Sequence, residues 1–211
     1  MADNGTLNYC WSQAMIAGFV AAGVSEALIS PGSRSTPLAL AMLRQERLRC
    51  HVAVDERSAA FFALGIAKAS RRPVMLLATS GTAPANWLPA VIEASQSGVP
   101  LILVSADRPP EHHGCGANQT INQINLFASH VRASHFLGTP EHGFEADYLH
   151  RLAARAYEQA IWPHPGPVHI NQPFREPLLP LTATPPALIP EAIHLAHGSQ
   201  LPAMDTVRDF S

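Results

Sequence analysis

PVMLLATS at residues 73–80 and VPLILVSAD at residues 99–107 are apolar at successive positions, not at alternate ones. Side chains along a strand point to opposite faces in turn, so runs like these need apolar cover on both sides. Helices packed on each face of a sheet supply it, and the rest of the chain alternates accordingly. A helical stretch from about Leu7 to Ala22 leads to ALIS (27–30), a short helix near Leu38 to Arg47, HVAVD (51–55) and a helix beginning at Glu56. After PVMLLATS comes a helix ending near Gly98, and after VPLILVSAD a long polar segment, DRPPEHHGCGANQTINQ. A weak strand around Val131, a helix from about Glu145 to Ile161 and the strand GPVHIN (166–171) complete the pattern. The class predicted is α/β, an open, mostly parallel sheet with helices on both faces.

Six prolines fall between residues 173 and 190, a density that blocks regular structure. The expected organisation is one domain over 1–177, then a Pro-rich linker and the start of a further, central domain over 178–211. Apolar residues make up 47% of the chain and charged ones 14%, so much helical surface must be covered, within the domain or by another subunit. Net charge is −2, which argues against a polyanion or membrane-surface partner. Cys10, Cys50 and Cys115 are odd in number and widely spaced, which disfavours a disulfide framework or structural zinc and suggests a reducing, cytoplasmic setting. The N-terminus has no basic signal-peptide region, and AMIAGFVAAGV, at 11 residues, is too short to span a bilayer.

In open parallel sheets ligands bind beyond the carboxyl ends of the strands, and four of those ends carry unusual residues. Pro31-Gly32-Ser33-Arg34-Ser35 combines a close-approach glycine, serines able to cap the next helix and a guanidinium fork for a carboxylate or phosphate; a capped turn with a surface arginine explains it as well. Thr79-Ser80-Gly81-Thr82, with Asn86 beyond, reads either as an ordinary turn or as a set of donors for a polar ligand. Asp107-Arg108, stiffened by two prolines, is a fixed binding loop or a surface ion pair. Asn118 and Gln119 lie on a glycine-bearing loop suited to an oxygen-rich substrate, while His112, His113 and Cys115 lack a second ligand pair at metal-site spacing. Glu56 either serves the helix dipole, with Asp55 as N-cap, or exchanges a proton with a ligand from a buried strand end.

ISPGSRSTPLALA, DERSAAFFALGIAKAS, TSGTAPANWLPAVIEA, LILVSADRPPE and GANQTINQINLFASH occur in this order. Together they resemble the pyrimidine-binding domain of thiamine diphosphate enzymes over roughly residues 10–178. The resemblance is nearest to members that decarboxylate 2-oxoglutarate and add the resulting unit to isochorismate on the way to menaquinone. It implies that Glu56 hydrogen-bonds N1′ of the cofactor's aminopyrimidine and relays a proton. Thr79, Thr82 and Asn86 would surround the pyrimidine, and Ser33, Arg34, Arg108 and Gln119 would line the substrate pocket. No metal ligand is expected in this chain: Mg2+ would be held, with the diphosphate, by a domain lying outside these 211 residues. Sites in this family form between subunits, so self-association as a dimer or tetramer is implied and the chain by itself is expected to be inactive. Two other readings stay open at this point, a thiamine enzyme of acetolactate synthase type and a non-catalytic α/β dimerisation domain.

Overall fold

A computed structural model describes residues 3–143 and 145–180. The expected linker therefore lies almost wholly outside the described residues. Six strands, β1 (Glu26–Ile29), β2 (Arg49–Val52), β3 (Val74–Ala78), β4 (Leu101–Asp107), β5 (Ala133–Phe136) and β6 (Pro167–Pro173), form one sheet in the order β2-β1-β3-β4-β6-β5. Every pairing is parallel, with Ala78 opposite Ser105 and Asp107 opposite Pro173. All six carboxyl ends consequently lie along one edge, and the strand order reverses direction between β1 and β3.

Among the described residues five α-helices cover the faces: α1 (Asn4–Ala22), α2 (Thr36–Leu43), α3 (Glu56–Ser70), α4 (Leu88–Gln96) and α5 (Ala146–Ile161). The pleat sends Ala27, Ile29, Met75, Leu77, Ile102 and Val104 toward α1, α2 and α5, where Met15, Phe19, Leu38 and Leu149 meet them. Leu28, Leu76 and Leu103 point the other way, to the alanine face of α3 and to Trp87, Val91 and Phe127. Burial of every residue in β3 and β4 explains the apolar runs VMLLA and LILV, whereas β6, equally buried, carries His169, Asn171 and Gln172 inside the sheet.

Local chemistry sets the helix ends. Asp3 caps α1 by accepting from the Thr6 N–H at 2.7 Å, and Gly23, at φ 117°, closes it by donating to the carbonyls of Phe19 and Val20. Asp55 caps α3 through the Ser58 N–H at 2.7 Å, as the sequence predicts. Ser33 and Ser35 do not cap α2. The Ser35 hydroxyl donates to the Gly32 carbonyl at 3.0 Å, and the carbonyl of Ser33 accepts from the Thr36 hydroxyl at 2.7 Å.

The chain after β6 is held against α1. Asn8, 1% exposed, donates its amide to the carbonyls of Arg175 and Pro177, while Trp11 Nε1 donates to Gln172 Oε1 at 2.7 Å. Asn4 adds a bond to the carbonyl of Glu176. These anchors bring Phe174 to Pro177 back over the carboxyl edge of the sheet.

Candidate active site

Four neighbouring strand ends supply the site. At the reversal point between β1 and β3, the backbone N–H of Arg34 donates to Thr79 Oγ1 at 3.2 Å, and a Cβ on Gly32 would collide with the Thr79 side chain. Glycine at 32 thus permits the β1 loop to lie directly on the end of β3. The Arg34 guanidinium, 3% exposed, donates from Nη1 to the Phe174 carbonyl at 3.0 Å and from Nη2 to Glu176 Oε1 at 2.6 Å. Arg108, at the end of β4, places Nη1 3.6 Å from the same Glu176 oxygen. The Nε atoms of both arginines are buried and have no hydrogen-bond partner among the described residues. Two such donors beside an exposed carboxylate are suited to an additional anionic ligand. Burial and then the Arg108 charge lower the Arg34 guanidinium from its ordinary value, with Glu176 opposing them. Burial raises the Asp107 carboxyl, against hydrogen bonds from Asn171 and the Arg108 N–H.

Gln119 sits against the β3 turn, not free in the loop. Its Nε2 donates to the Ser80 carbonyl and its own carbonyl accepts from Ser80 Oγ, both at 3.1 Å. Thr79 is buried, whereas Thr82 and Asn86 are exposed, and Asn86 Nδ2 donates to the Thr82 carbonyl at 3.0 Å. Ser33 is exposed and its hydroxyl stands clear of the two arginines' bonds. The structure therefore brings Arg34, Thr79 and Arg108 together and ties Gln119 to Ser80.

Glu56 stands in the first turn of α3, which packs on the Pro84–Trp87 turn and on β1 and β3, so it shares the carboxyl edge with the Thr79–Asn86 segment. Its surroundings are more open than the sequence suggested. β2 is an edge strand, Val52 and Val54 are 63% and 83% exposed, and Phe61 and Phe62 on α3 are 45% and 51% exposed. Glu56 itself is half-buried and makes no hydrogen bond or ion pair among the described residues. An unpartnered carboxylate in the first turn of a helix is available to hydrogen-bond a ligand.

Sequence reasoning overlooked Glu176 and Gln123. Glu176 lies 142 residues from Arg34, and nothing local to either marks the pair. Gln123 sits in a polar loop that reads as solvent-facing, yet it is 0% exposed.

A parallel sheet of this order, with its strand-end loops gathered at the carboxyl edge, defines an open α/β ligand-binding domain. Residues 11–126 match the family model described as thiamine pyrophosphate enzyme, N-terminal TPP binding domain, and the chain belongs to that family. Over all 211 residues it is 68% identical to a 2-succinyl-5-enolpyruvyl-6-hydroxy-3-cyclohexene-1-carboxylate synthase of Dechloromonas aromatica, of which it covers 39%. Synthases of the same name from Thermobifida fusca and Geobacillus kaustophilus are 59% identical over 75% of the chain and 52% identical over 81%. The chain covers 29% and 30% of those two relatives. No helix among the described residues is long and apolar enough to cross a membrane.

Proposed function

We propose that this chain is the pyrimidine-binding part of a thiamine diphosphate-dependent transferase that decarboxylates 2-oxoglutarate and joins the resulting four-carbon unit to isochorismate, in menaquinone biosynthesis. The observation that carries this reading is that Arg34 and Arg108 share Glu176 at the carboxyl edge, with Arg34 bonded to Thr79, while Glu56 stands unpartnered at the start of α3. Both substrates are carboxylates, and two guanidinium groups with free Nε donors suit them. An acetolactate-type reaction joins 2-oxo acids and has no comparable need for two arginines directed at a multiply charged acceptor. The similarity to three synthases of one name supports the same choice.

Thiamine diphosphate, when bound, supplies the electron sink for decarboxylation and carbon–carbon bond formation. Glu56 would hold a proton at N1′ of the pyrimidine, oriented by the first turn of α3. Thr79 shapes the floor through its contacts with Gly32 and Arg34, and Thr82 and Asn86 offer polar atoms at the rim. Arg34 and Arg108 bind and orient substrate carboxylate, with Gln119 and Ser33 at the margin. In this reading Mg2+ and the diphosphate belong to another domain. The exposed Val52, Val54, Phe61 and Phe62 beside Glu56 would be covered by that domain from a second subunit, in a cytoplasmic homo-oligomer. Domain limits follow the same logic, with residues 1–177 as the pyrimidine-binding unit and the segment from 178 leading to the rest of the enzyme.

The test is to incubate the complete enzyme with 2-oxoglutarate, isochorismate, thiamine diphosphate and Mg2+ and to follow the condensed product by mass spectrometry. Product formed with isochorismate but not with pyruvate as acceptor supports the reading. Condensation of two 2-oxo acids would replace it with the acetolactate-type activity.

A further inference from the structure

The polar core behind the two loops contains a chain of hydrogen bonds whose polarity is fixed at each end. The Gly81 N–H donates to Gln123 Oε1 at 2.8 Å, and Gln123 Nε2 donates to Asn171 Oδ1 at 2.7 Å and to the Ala106 carbonyl at 3.1 Å. Asn171 Nδ2 donates to Asp107 Oδ2 at 2.7 Å, and Asp107 Oδ1 accepts from the Arg108 N–H at 2.7 Å. Gln123 is thus the link between the turn that carries Thr79 and Thr82 and the strand end that carries Arg108. Its side chain has no slack, because it is 0% exposed and both ends of the amide are engaged. The turn it holds has little freedom either. Gly81 sits at φ 82°, and a Cβ there would strike Gln119.

We propose that Gln123 is a positioning residue that sets the β3 turn and the β4 strand end in one fixed relationship, so that cofactor and carboxylate substrate are aligned together. The proposal rests on the reading that these two loops face cofactor and substrate. Two substitutions separate its parts. Gln123→Met keeps the volume and removes every hydrogen bond. Gln123→Glu keeps the acceptor for Gly81 but sets an oxygen against Asn171 Oδ1 and the Ala106 carbonyl, a repulsion that vanishes when the carboxyl is protonated and donates as the amide did.

In the 211-residue chain, amide hydrogen exchange by NMR should show Gln123→Met lowering protection at Gly81 and also at Arg108, each by about tenfold or more. A change at Gly81 with none at Arg108 overturns the coupling. In the complete enzyme, both variants should raise KM for the carboxylate acceptor and lower kcat, and lowering the pH from 8 to 6 should restore the Gln123→Glu variant relative to wild type but not the Gln123→Met variant. Kinetic constants equal to wild type in both variants overturn the proposal, as does an identical pH profile in the two. A wild-type enzyme without thiamine-dependent activity would sink the functional reading alone, because the exchange experiment decides the coupling independently.

Discussion

Arg34 Nη2 donates to Glu176 Oε1 at 2.6 Å, and that same oxygen lies 3.6 Å from Arg108 Nη1. The pairing is uneven in burial, since the side chain of Arg34 is 4% exposed and that of Glu176 is 65% exposed. Glu176 therefore reaches the arginines from the solvent side, the direction from which a substrate carboxylate would come. Arg34 keeps its bond to the Phe174 carbonyl whether or not Glu176 is charged. Gln at position 176 still accepts through its amide oxygen but carries no charge, so the fold should change by no more than about 1 kcal/mol. In the complete enzyme, Glu176→Gln should lower KM for the anionic acceptor by roughly threefold to tenfold at low salt, and by less at high salt. Steady-state kinetics at two ionic strengths measures this, and a raised KM would show that Glu176 aligns the arginines instead of competing for them.

His169 places an acid-sensitive group inside the sheet. The Ser105 hydroxyl gives its proton to Asn171 Oδ1 and so accepts from His169 Nε2 at 2.8 Å, which leaves Nδ1 bare and buried. Burial, assisted by the nearby His135, lowers the imidazole to about 3. The folded value lies below the unfolded one, so the unfolded chain binds the extra proton between about pH 6.5 and pH 3. Stability is fully present above about 6.5 and falls as the pH drops through that window, by up to about 1.4 kcal/mol per pH unit from this one group. His169→Gln retains a donor for Ser105 without the titration. Urea unfolding at pH 7 and pH 5 should show a smaller loss for the variant than for wild type, and equal losses would remove His169 as the cause.

Glu111 and Arg175 form a two-point pair, Nε to Oε1 at 2.6 Å and Nη2 to Oε2 at 3.0 Å, and Arg175 also donates to Thr139. The Arg175 hydrogen bonds lower the Glu111 carboxyl to about 2. Because the folded value is depressed, the contribution is present above about pH 4.5 and disappears as pH falls toward about 2. Side chains 45% and 47% exposed are well screened, so the pair should contribute under about 1 kcal/mol. Thermal melts of wild type and Glu111→Gln should differ slightly at pH 6 and converge near pH 2. A difference that persists there would point to packing and not charge.

Legibility in the sequence followed burial. PVMLLATS and VPLILVSAD announced a parallel sheet because all residues of β3 and β4 are buried on both faces. HVAVD misplaced its strand because β2 is an edge, where exposure lets apolar and polar residues occur in any order; the strand is Arg49–Val52, and Val54 is solvent-facing. Asp55 was readable as a cap because capping is a three-residue interaction. Ser33 and Ser35 misled for the same reason, since Gly32 and Ser33 offer their carbonyls to the Ser35 and Thr36 hydroxyls at the same short range. The Glu176 and Gln123 contacts span 142 and 42 residues, and no local pattern encodes a partner so far away. The family motifs carried Arg34, Thr79 and Arg108 to one edge of the sheet, but not the carboxylate that two of them share.

Glu56 gives the sharpest remaining prediction. Asp55 supplies the cap of α3 through Ser58, so Glu56 is not required for that task, and its carboxylate meets no partner among the described residues. Replacing it with Gln removes a proton acceptor while keeping shape, in a first turn where an acid is worth only about 0.3–1 kcal/mol. Stability of the chain should therefore stay within about 1 kcal/mol, whereas in the complete enzyme exchange of the cofactor's C2 proton should slow by roughly 10²–10⁴-fold, the usual range for a positioned acid–base group. Exchange followed by NMR after rapid quenching in deuterated buffer measures the second quantity, and urea unfolding the first. Slow exchange with an unchanged fold assigns the proton relay to Glu56. Exchange as fast as wild type would make this carboxylate a helix-terminus charge and assign the relay to another residue.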